Sequence, residues 1–418
     1  MSKEILIIGG GVIGLSTAYY AARKGHRVTV LDRGTVDHEN CSYGNAGFIV
    51  PSHFVPLAAP GMVALGLKWM LKPDSPFYIK PRLDRELLGW GFKLWRAANP
   101  EHARHCAPLL RDLNLASRAC FEELAHLTDN AFGLEKKGLL CLCRTEHRME
   151  EEARTAEQAR QLGLKVEVLS ARQAAELDPN IRMDIVGAVY FLDDCHLTPA
   201  RFMTALKQQV KRLGATLLWE TELTGWRVNG DRIEAAETAK GDFAADEFVL
   251  CAGSWSSLLV RRLRLALPMQ AGKGYSLTLP KPRRSPAIPA ILTEARVAVT
   301  PMGGSLRFGG TMEIAGLNEQ INPVRVQGII RAAARYYPEF QPQDFDGIPP
   351  WRGLRPCSPD GLPYVGRTAR YSNLCLATGH AMMGLSLGPI TGRLVAEILS
   401  GEKPSIDIQP LDPDRYAA

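Results

Sequence analysis

The chain has 418 residues, of which 46% are hydrophobic and 22% are charged. A length of this order predicts two or three domains at the usual ~100–200 residues each, and the composition excludes a chain that is disordered throughout. The net charge of +6 comes from Arg-rich pieces without a lysine tract or interleaved aromatic residues. Nucleic-acid binding is therefore not expected.

Targeting signals and metal-binding patterns are missing from the sequence. Nine cysteines without a C-x-x-C pair are typical of reduced thiols and favour a cytoplasmic protein. The scattered histidines predict no metal site. The apolar stretch 55–71 contains Pro56, Pro60 and Lys68 and is shorter than the ~20 residues of a spanning helix. Peripheral contact of this stretch with the inner face of a membrane stays open.

The first elements in chain order form a βαβ unit. Residues 4–8 are apolar and β-branched, glycines follow, residues 12–24 have helical spacing, and residues 28–31 form a second strand. The two strands must be parallel, because a helix connects them.

The middle of the chain alternates between helices and strands. The Leu/Ala/Arg-rich segment 61–127 predicts a helical insert, and further helices are predicted over 150–162 and 196–213. The second of these has Thr198 as its cap and Pro199 at its first position. Strands are predicted over 221–228, 232–238 and 247–251, and the last leads through Gly253 into a helix.

The last third predicts a second sheet and a return to the first. Strands over 275–279, 295–300 and 305–310 favour an antiparallel sheet. A Pro- and Gly-rich loop over 349–366 follows, and then come a strand over 374–378, a glycine turn and a helix over 385–399.

The motif G-x-G-x-x-G lies at the end of the first strand and opens the first helix. Its glycines allow a pyrophosphate to approach the N–H groups of the helix N-terminus. Asp32 ends the second strand, where a carboxylate accepts hydrogen bonds from ribose hydroxyls and disfavours the 2′-phosphate of NADP. The residues expected to bind this dinucleotide are Gly9, Gly10, Gly11, Val12, Ile13, Gly14, Asp32 and Arg33.

Two further segments distinguish FAD from NAD. The segment CSYGNAG offers hydrogen bonds from Ser42 and Asn45 beside the small residues Ala46 and Gly47, although an Asx-type turn is the alternative interpretation. Near the C-terminus, TGHAMMGLSLGP places a second glycine-bordered helix start at 383–385, whose N–H groups suit the electron-rich edge of a flavin. The residues expected there are Gly379, His380, Gly384 and Leu385, with Gly253 on the neighbouring strand end.

Together with GKGYSL and WRGLRPCSPDGLPYVG, these motifs resemble the D-amino acid oxidase superfamily of flavoproteins over essentially the whole chain. Within it the sequence is most similar to bacterial D-amino acid dehydrogenases, including those that act on cis-4-hydroxy-D-proline. The resemblance implies an α/β fold with a discontinuous Rossmann-type FAD-binding domain (1–60, 146–260 and 349–418). It also implies an α+β substrate domain on an antiparallel sheet, made of 61–145 with the helical insert and of 261–348.

The resemblance also implies residue roles. Arg355 would bind the substrate carboxylate, which suits a guanidinium because it binds a carboxylate bidentately and keeps its charge. Tyr275 and His53 are candidates for lining the pocket or contacting the amine, with a core tyrosine and a surface histidine as equally good interpretations. Met382 and Met383 stand where glycine oxidases have a second arginine, which favours a more apolar pocket.

The predicted activity is oxidative deamination of a D-amino acid, cyclic ones included, by hydride transfer to flavin N5. The alternatives are a glycine- or sarcosine-type amine oxidase that uses oxygen, a nicotinamide-dependent dehydrogenase, and a non-catalytic flavin-binding subunit. A quinone, an electron-transfer protein and oxygen all stay open as the electron acceptor.

Overall fold

The computed structural model describes residues 1–38, 40–61, 75–82 and 84–417. Positions 62–74 of the predicted helical insert and of the apolar stretch 55–71 lie outside the described residues. The helices are α1 (Val12–Arg23), α2 (Arg85–Ala97), α3 (Pro100–Leu127), α4 (Glu146–Gln161), α5 (Ala171–Leu177), α6 (Pro199–Arg212), α7 (Ser256–Arg261), α8 (Pro323–Tyr336) and α9 (Gly388–Leu399).

Twenty strands follow the same chain order within these residues. They are β1 (Glu4–Ile8), β2 (Arg27–Leu31), β3 (Phe48–Ile49), β4 (Phe77–Ile79), β5 (Leu139–Cys143), β6 (Val166–Ser170), β7 (Gly187–Phe191), β8 (Cys195–His196), β9 (Thr216–Leu218), β10 (Leu223–Asn229), β11 (Arg232–Thr238), β12 (Gly241–Ala244), β13 (Glu247–Leu250), β14 (Gln270–Leu279), β15 (Ala290–Leu292), β16 (Val297–Met302), β17 (Ser305–Ile314), β18 (Trp351–Cys357), β19 (Tyr364–Arg367) and β20 (Leu374–Thr378).

A six-stranded sheet with the order β19-β20-β13-β1-β2-β9 forms one layer of the molecule. Every neighbouring pair in it is parallel except β19 and β20. Ile5 and Ile7 of β1 pack into the core that contains α1 and α9, and Leu6 and Ile8 pack into the core on the opposite face. Burial on both faces explains why β1 is a continuous apolar run, as parallel strands between two helical layers usually are.

The second layer is a larger sheet, which confirms the predicted antiparallel sheet. Its strands follow the order β18-β14-β17-β16-β15-β5-β7-β6, and β4 pairs with β17. Only the pairs β15 with β5 and β17 with β4 are parallel. Helix α8 packs Ile329 and Ile330 against Leu277 and Phe308 on one face of this sheet.

Two small sheets complete the described part of the chain. Strands β10, β11 and β12 form an antiparallel meander. Strands β3 and β8 pair Phe48 with His196 and Ile49 with Cys195. This second pairing fixes the segment after β3 against the residues just before β8.

Two local predictions were wrong. The predicted loop 349–366 contains β18 and β19, because β18 pairs with β14 from Gln270 opposite Cys357 to Ser276 opposite Trp351. Strand β18 lies at the edge of its sheet, where Pro356 is tolerated although it has no N–H group. The last helix begins at Gly388 rather than near 385. Thr198 is the N-cap of α6 and Pro199 its first residue, as predicted, although the Thr198 side chain makes no capping bond.

The predicted domain boundaries stay a prediction, since the structure describes sheets and not independently folding units. Strands of the two large sheets interleave along the chain: β6 and β7 lie within 146–260 and β18 within 349–418, and all three belong to the larger sheet. Among the described residues, no helix is both long enough and apolar enough to cross a membrane.

Candidate active site

One cavity of about 1310 Å³ runs from the glycine motif to the larger sheet. Residues from both layers line it, so that segments far apart in the chain meet there. The predicted site residues on its wall are Gly9, Gly11, Val12, Ile13, Asp32, Arg33, Ser42, Asn45, Ala46, His53, Gly253, Tyr275, Arg355, His380, Gly384 and Leu385.

Four predicted cofactor-binding glycines are not among the residues that line the cavity: Gly10, Gly14, Gly47 and Gly379. Their function is close packing. A Cβ atom at Gly14 would lie 1.8 Å from the carbonyl oxygen of Gly9. Gly14 therefore allows α1 to begin directly against the turn that ends β1.

Asp32 holds the glycine turn in place. Its carboxylate accepts hydrogen bonds from the backbone N–H of Gly10 at 2.6 Å and of Gly34 at 2.7 Å. A carboxylate has about four acceptor sites, so that hydroxyl groups in the cavity can still bind to Asp32. Arg33 next to it stacks over the Trp255 ring with its guanidinium carbon 3.9 Å from the ring centroid.

The SYGNAG segment lies under the start of α1. Ser42 Oγ accepts the Val12 N–H at 3.0 Å, which leaves the hydroxyl hydrogen of Ser42 for another acceptor. Asn45 Oδ1 accepts the Gly47 N–H at 2.9 Å. The Asx-type turn is thus present, and it presents Asn45 and Ala46 to the cavity.

The C-terminal segment reaches the cavity through a turn and not through the first residues of a helix. A short 3-10 turn at Ala381–Met383 precedes α9. His380 Nε2 lies 3.0 Å from Thr391 Oγ1, and burial lowers the pKa of His380 to about 3. A neutral imidazole fits the predicted contact role and disfavours an acid or base role.

Arg355 lies on the edge strand β18, and its side chain crosses the neighbouring strand β14. A Cβ atom at Gly274 of β14 would lie 2.1 Å from Arg355 Nη2, so that only glycine leaves room for the guanidinium. Nη1 donates to the carbonyl oxygen of Thr311 at 2.6 Å. Among the described residues, no carboxylate forms a salt bridge with Arg355, and burial lowers its pKa. A half-buried cation in a cavity wall favours an anion that compensates its desolvation.

Arg352, in contrast, already has an acidic partner. Its Nη2 lies 3.4 Å from Glu319 Oε2, and its Nε donates to the Glu319 carbonyl at 2.7 Å. This pairing gives Arg352 a structural role.

Tyr275 belongs to the core and to the cavity wall at once. It is buried among the apolar residues of the larger sheet, and its hydroxyl donates to Glu313 Oε2 at 2.7 Å. Burial and the Glu313 carboxylate raise its pKa. Both interpretations of Tyr275 are therefore compatible with its position.

His53 also lines the cavity and is half-buried. Its Nδ1 lies 3.2 Å from Ser52 Oγ. Burial first, and the charge of Arg296 second, lower the pKa of His53 to about 4. His53 is therefore neutral near pH 7.

Sequence reasoning missed a charged part of the cavity wall that consists of Arg148, Glu152 and Arg296. Arg148 of α4 donates to Glu151 at 2.6 Å and to Glu152 at 2.5 Å. The charged pattern of α4 is typical of a solvated helix, yet Glu152 is buried. Helical spacing groups residues on a face but cannot tell which face packs against the rest of the protein.

Comparison with known proteins identifies a family whose members need a cofactor site. Residues 4–398 match the family model of the DAO group, described as FAD dependent oxidoreductase. The chain belongs to this family. The match confirms the predicted FAD cofactor and the predicted enzyme class.

Two curated relatives extend over the whole chain. A D-amino acid dehydrogenase of Granulibacter bethesdensis is 34% identical over 99% of this chain and 100% of its own length. A D-amino acid dehydrogenase of Bradyrhizobium diazoefficiens is 33% identical over 99% of each chain.

Solved structures share the fold. Glycine oxidase from Geobacillus kaustophilus has a TM-score of 0.80 at 24% identity and covers 100% of both chains. L-proline dehydrogenase from P. horikoshii has a TM-score of 0.76 at 17% identity, with 99% of this chain and 98% of the other covered.

The residues of this oxidoreductase fit FAD. The glycine turn with Asp32 suits the adenosine and pyrophosphate part, and the cavity continues without a break past Asn45 and His380 to Arg355. A long cofactor can therefore extend from the six-stranded sheet to the substrate end of the cavity.

Proposed function

We propose that this oxidoreductase is a D-amino acid dehydrogenase that oxidises the α-carbon of its substrate to the imino acid. The observation that carries the proposal is Arg355, a cavity cation without a carboxylate partner among the described residues. The names of the full-length relatives support the same substrate class.

In this proposal the residues around Arg355 orient the substrate. The bond from Nη1 to Thr311 fixes the guanidinium, and the remaining N–H groups of Arg355 bind the α-carboxylate. FAD, when bound, accepts the hydride from the α-carbon. The chain contributes orientation and exclusion of water, and the imino acid hydrolyses to the keto acid after release.

The direct test is anaerobic addition of D- and L-amino acids, proline derivatives included, to the purified yellow protein. We expect D-amino acids to bleach the flavin absorbance near ~450 nm. If no amino acid bleaches the flavin, the proposal fails in favour of a non-catalytic flavin-binding subunit. Stoichiometric peroxide during aerobic turnover would instead indicate an amine oxidase.

The electron acceptor is the second part of the proposal, and it rests on an exposed apolar face of α2. Leu88, Phe92 and Trp95 are 63%, 60% and 62% exposed, at spacings of four and three residues that bring them to one side of the helix. Exposed Arg85 and Arg96 border them. An amphipathic helix of this composition suits the surface of an anionic membrane, where a quinone would reoxidise the flavin.

Co-sedimentation with vesicles that contain anionic lipid tests this second part. We expect the double variant Phe92→Ser with Trp95→Ser to lose most of the binding, and Val228→Ser, which removes a 43% exposed apolar residue elsewhere, to keep it. Equal sedimentation of both variants would remove α2 from this role.

A further inference from the structure

A chain of hydrogen bonds leads from the cavity to a buried carboxylate. His53 lines the cavity, and its Nδ1 lies 3.2 Å from Ser52 Oγ. Ser52 Oγ in turn donates to Asp194 Oδ2 at 2.5 Å. Three side chains thus connect the cavity with the protein interior.

The fold holds this chain rigidly. Ser52 follows β3 and Asp194 precedes β8, and these two strands pair. The backbone N–H of Ser52 also donates to Asp194 Oδ1 at 3.0 Å, and Gly138 N–H donates to the Asp194 carbonyl at 3.0 Å.

Asp194 is a buried acid whose two carboxyl oxygens both bind Ser52. It is 1% exposed, and none of the ion pairs among the described residues includes it. Both of its oxygens accept from Ser52, whereas an asparagine could accept through one oxygen only. The buried carboxylate costs free energy that a neutral amide would not cost. An aspartate differs from an asparagine in its ability to take up a proton.

The chemistry of the proposed reaction needs such a group. The α-amino group of an amino acid is largely protonated near pH 7. Hydride can leave the α-carbon only when the nitrogen has a free lone pair to form the C=N bond. A substrate bound as the ammonium form must therefore lose one proton, and a group in the cavity can accept it.

We propose that His53 and Ser52 pass the ammonium proton of the substrate to Asp194. The inference rests on the proposed function. In the starting state, His53 Nδ1–H donates to Ser52 Oγ, the Ser52 hydroxyl donates to Asp194, and Nε2 of His53 has a free lone pair. Nε2 takes the ammonium proton, the Nδ1 proton moves to Ser52 Oγ, and the former hydroxyl proton of Ser52 moves to Asp194. The products are a neutral amine, a neutral imidazole and a neutral carboxyl group.

The surrounding charges favour this direction of transfer. Burial and Arg296 keep the pKa of His53 near 4, so that the proton does not stay on the imidazole. Burial raises the pKa of Asp194 to about 7, and Asp193 adds to this rise while Arg118 opposes it. Arg118 is bound to Asp193 at 3.3 Å and to Glu122 at 3.0 Å. The thiols of Cys141 and Cys195 also face Asp194, and burial raises their pKa values above the working range.

The pH dependence of anaerobic flavin reduction tests the relay. We expect the wild-type rate to fall as the pH drops below about 7, where Asp194 is already protonated. In Asp194→Asn and Ser52→Ala the rate at pH 7 should fall about 100-fold, and the acid limb should move up to the pKa of the substrate amine. Ser52→Thr keeps the hydroxyl and should restore most of the rate and the wild-type profile.

Asp178 provides the matched control. It is also buried, and its Oδ2 accepts backbone N–H groups of Ala287 and Ile288 at 2.7 and 2.9 Å, but it does not line the cavity. Asp178→Asn should leave the pH profile unchanged. Infrared titration of the resting enzyme gives a readout without turnover: a protonated-carboxyl band that grows as the pH falls through about 7 should be missing from Asp194→Asn.

The outcomes separate the relay from the proposed function. If no amino acid bleaches the wild type, the proposed function itself fails. If the wild type is bleached and both Ser52→Ala and Asp194→Asn retain its rate and profile, the relay is overturned. Should Asp194→Asn not fold, Ser52→Ala against Ser52→Thr decides by itself, because equal profiles for these two variants would exclude the hydroxyl as a proton carrier.

Discussion

The two ends of the cavity are built in different ways. The nucleotide end consists mainly of backbone from one continuous segment, with Gly9 to Gly14 and Asp32 in a single βαβ unit. The substrate end consists of side chains from separate strands, such as Arg355 on β18, which reaches over Gly274 of β14. A local motif can specify the nucleotide end, whereas the substrate end exists only after the larger sheet has formed. Substitutions at the two ends should therefore affect different properties of the enzyme.

The largest effect is expected at the nucleotide end. Gly14→Val would place a Cβ atom 1.8 Å from the Gly9 carbonyl oxygen, and the turn must open to relieve this contact. We expect the purified variant to be colourless and to remain so after addition of FAD. Gly89→Ala on α2, where a Cβ has no neighbour within 4 Å, is the control and should be as yellow as the wild type. A yellow Gly14→Val protein would contradict the role of this close packing.

At the substrate end, Arg355→Met should preserve the flavin spectrum and lower kcat/KM. Loss of a buried charge pair with the substrate costs about 2–5 kcal/mol, which corresponds to roughly 30- to 4000-fold. Arg352→Met should have a much smaller effect, since Arg352 is already paired with Glu319. Steady-state kinetics with the best D-amino acid measures both, and equal losses in the two variants would refute the assignment of Arg355.

A substitution at Gly274 keeps Arg355 but displaces its guanidinium group. Gly274→Ala places a Cβ atom 2.1 Å from Nη2, so that the guanidinium must shift by more than 1 Å. A misplacement of this size should reduce kcat/KM by about 10- to 100-fold. Gly91→Ala on α2, where a Cβ atom has no neighbour within 4 Å, is the control and should be nearly neutral. An unchanged kcat/KM in Gly274→Ala would show that the site tolerates displacement.

The last effect concerns the pH dependence of stability rather than catalysis. Because burial raises the pKa of Asp194 from 3.8 to about 7, the contribution of Asp194 to stability is complete below pH ~4 and is lost as the pH rises through 7. Relative to wild type, Asp194→Asn should gain up to about 4 kcal/mol in unfolding free energy between pH 4 and pH 8. Urea unfolding at both pH values measures this difference. A difference between variant and wild type that is independent of pH would mean that Asp194 has an ordinary pKa.

The sequence by itself determined the nucleotide end, the FAD cofactor and the alternation of parallel and antiparallel layers. Each of these features depends on short segments that can be recognised locally: glycines at a strand end, an acid at the next strand end, the segments CSYGNAG and TGHAMMGLSLGP, and apolar runs with a period of two or of helical type. Arg355 was also predicted, but only through the likeness of its segment to a family motif.

Tertiary structure alone decided what surrounds Arg355 and His53. The Pro and Gly content of 349–366 indicated a loop. The strand β18 in this segment was missed because it pairs with β14, about 80 positions away in the chain, and this pairing leaves no local periodicity. Ser52 and Asp194 are 142 residues apart, and nothing in either segment indicates the other. Hydrogen bonds and burial depend on distance in space, whereas a sequence pattern records only distance along the chain.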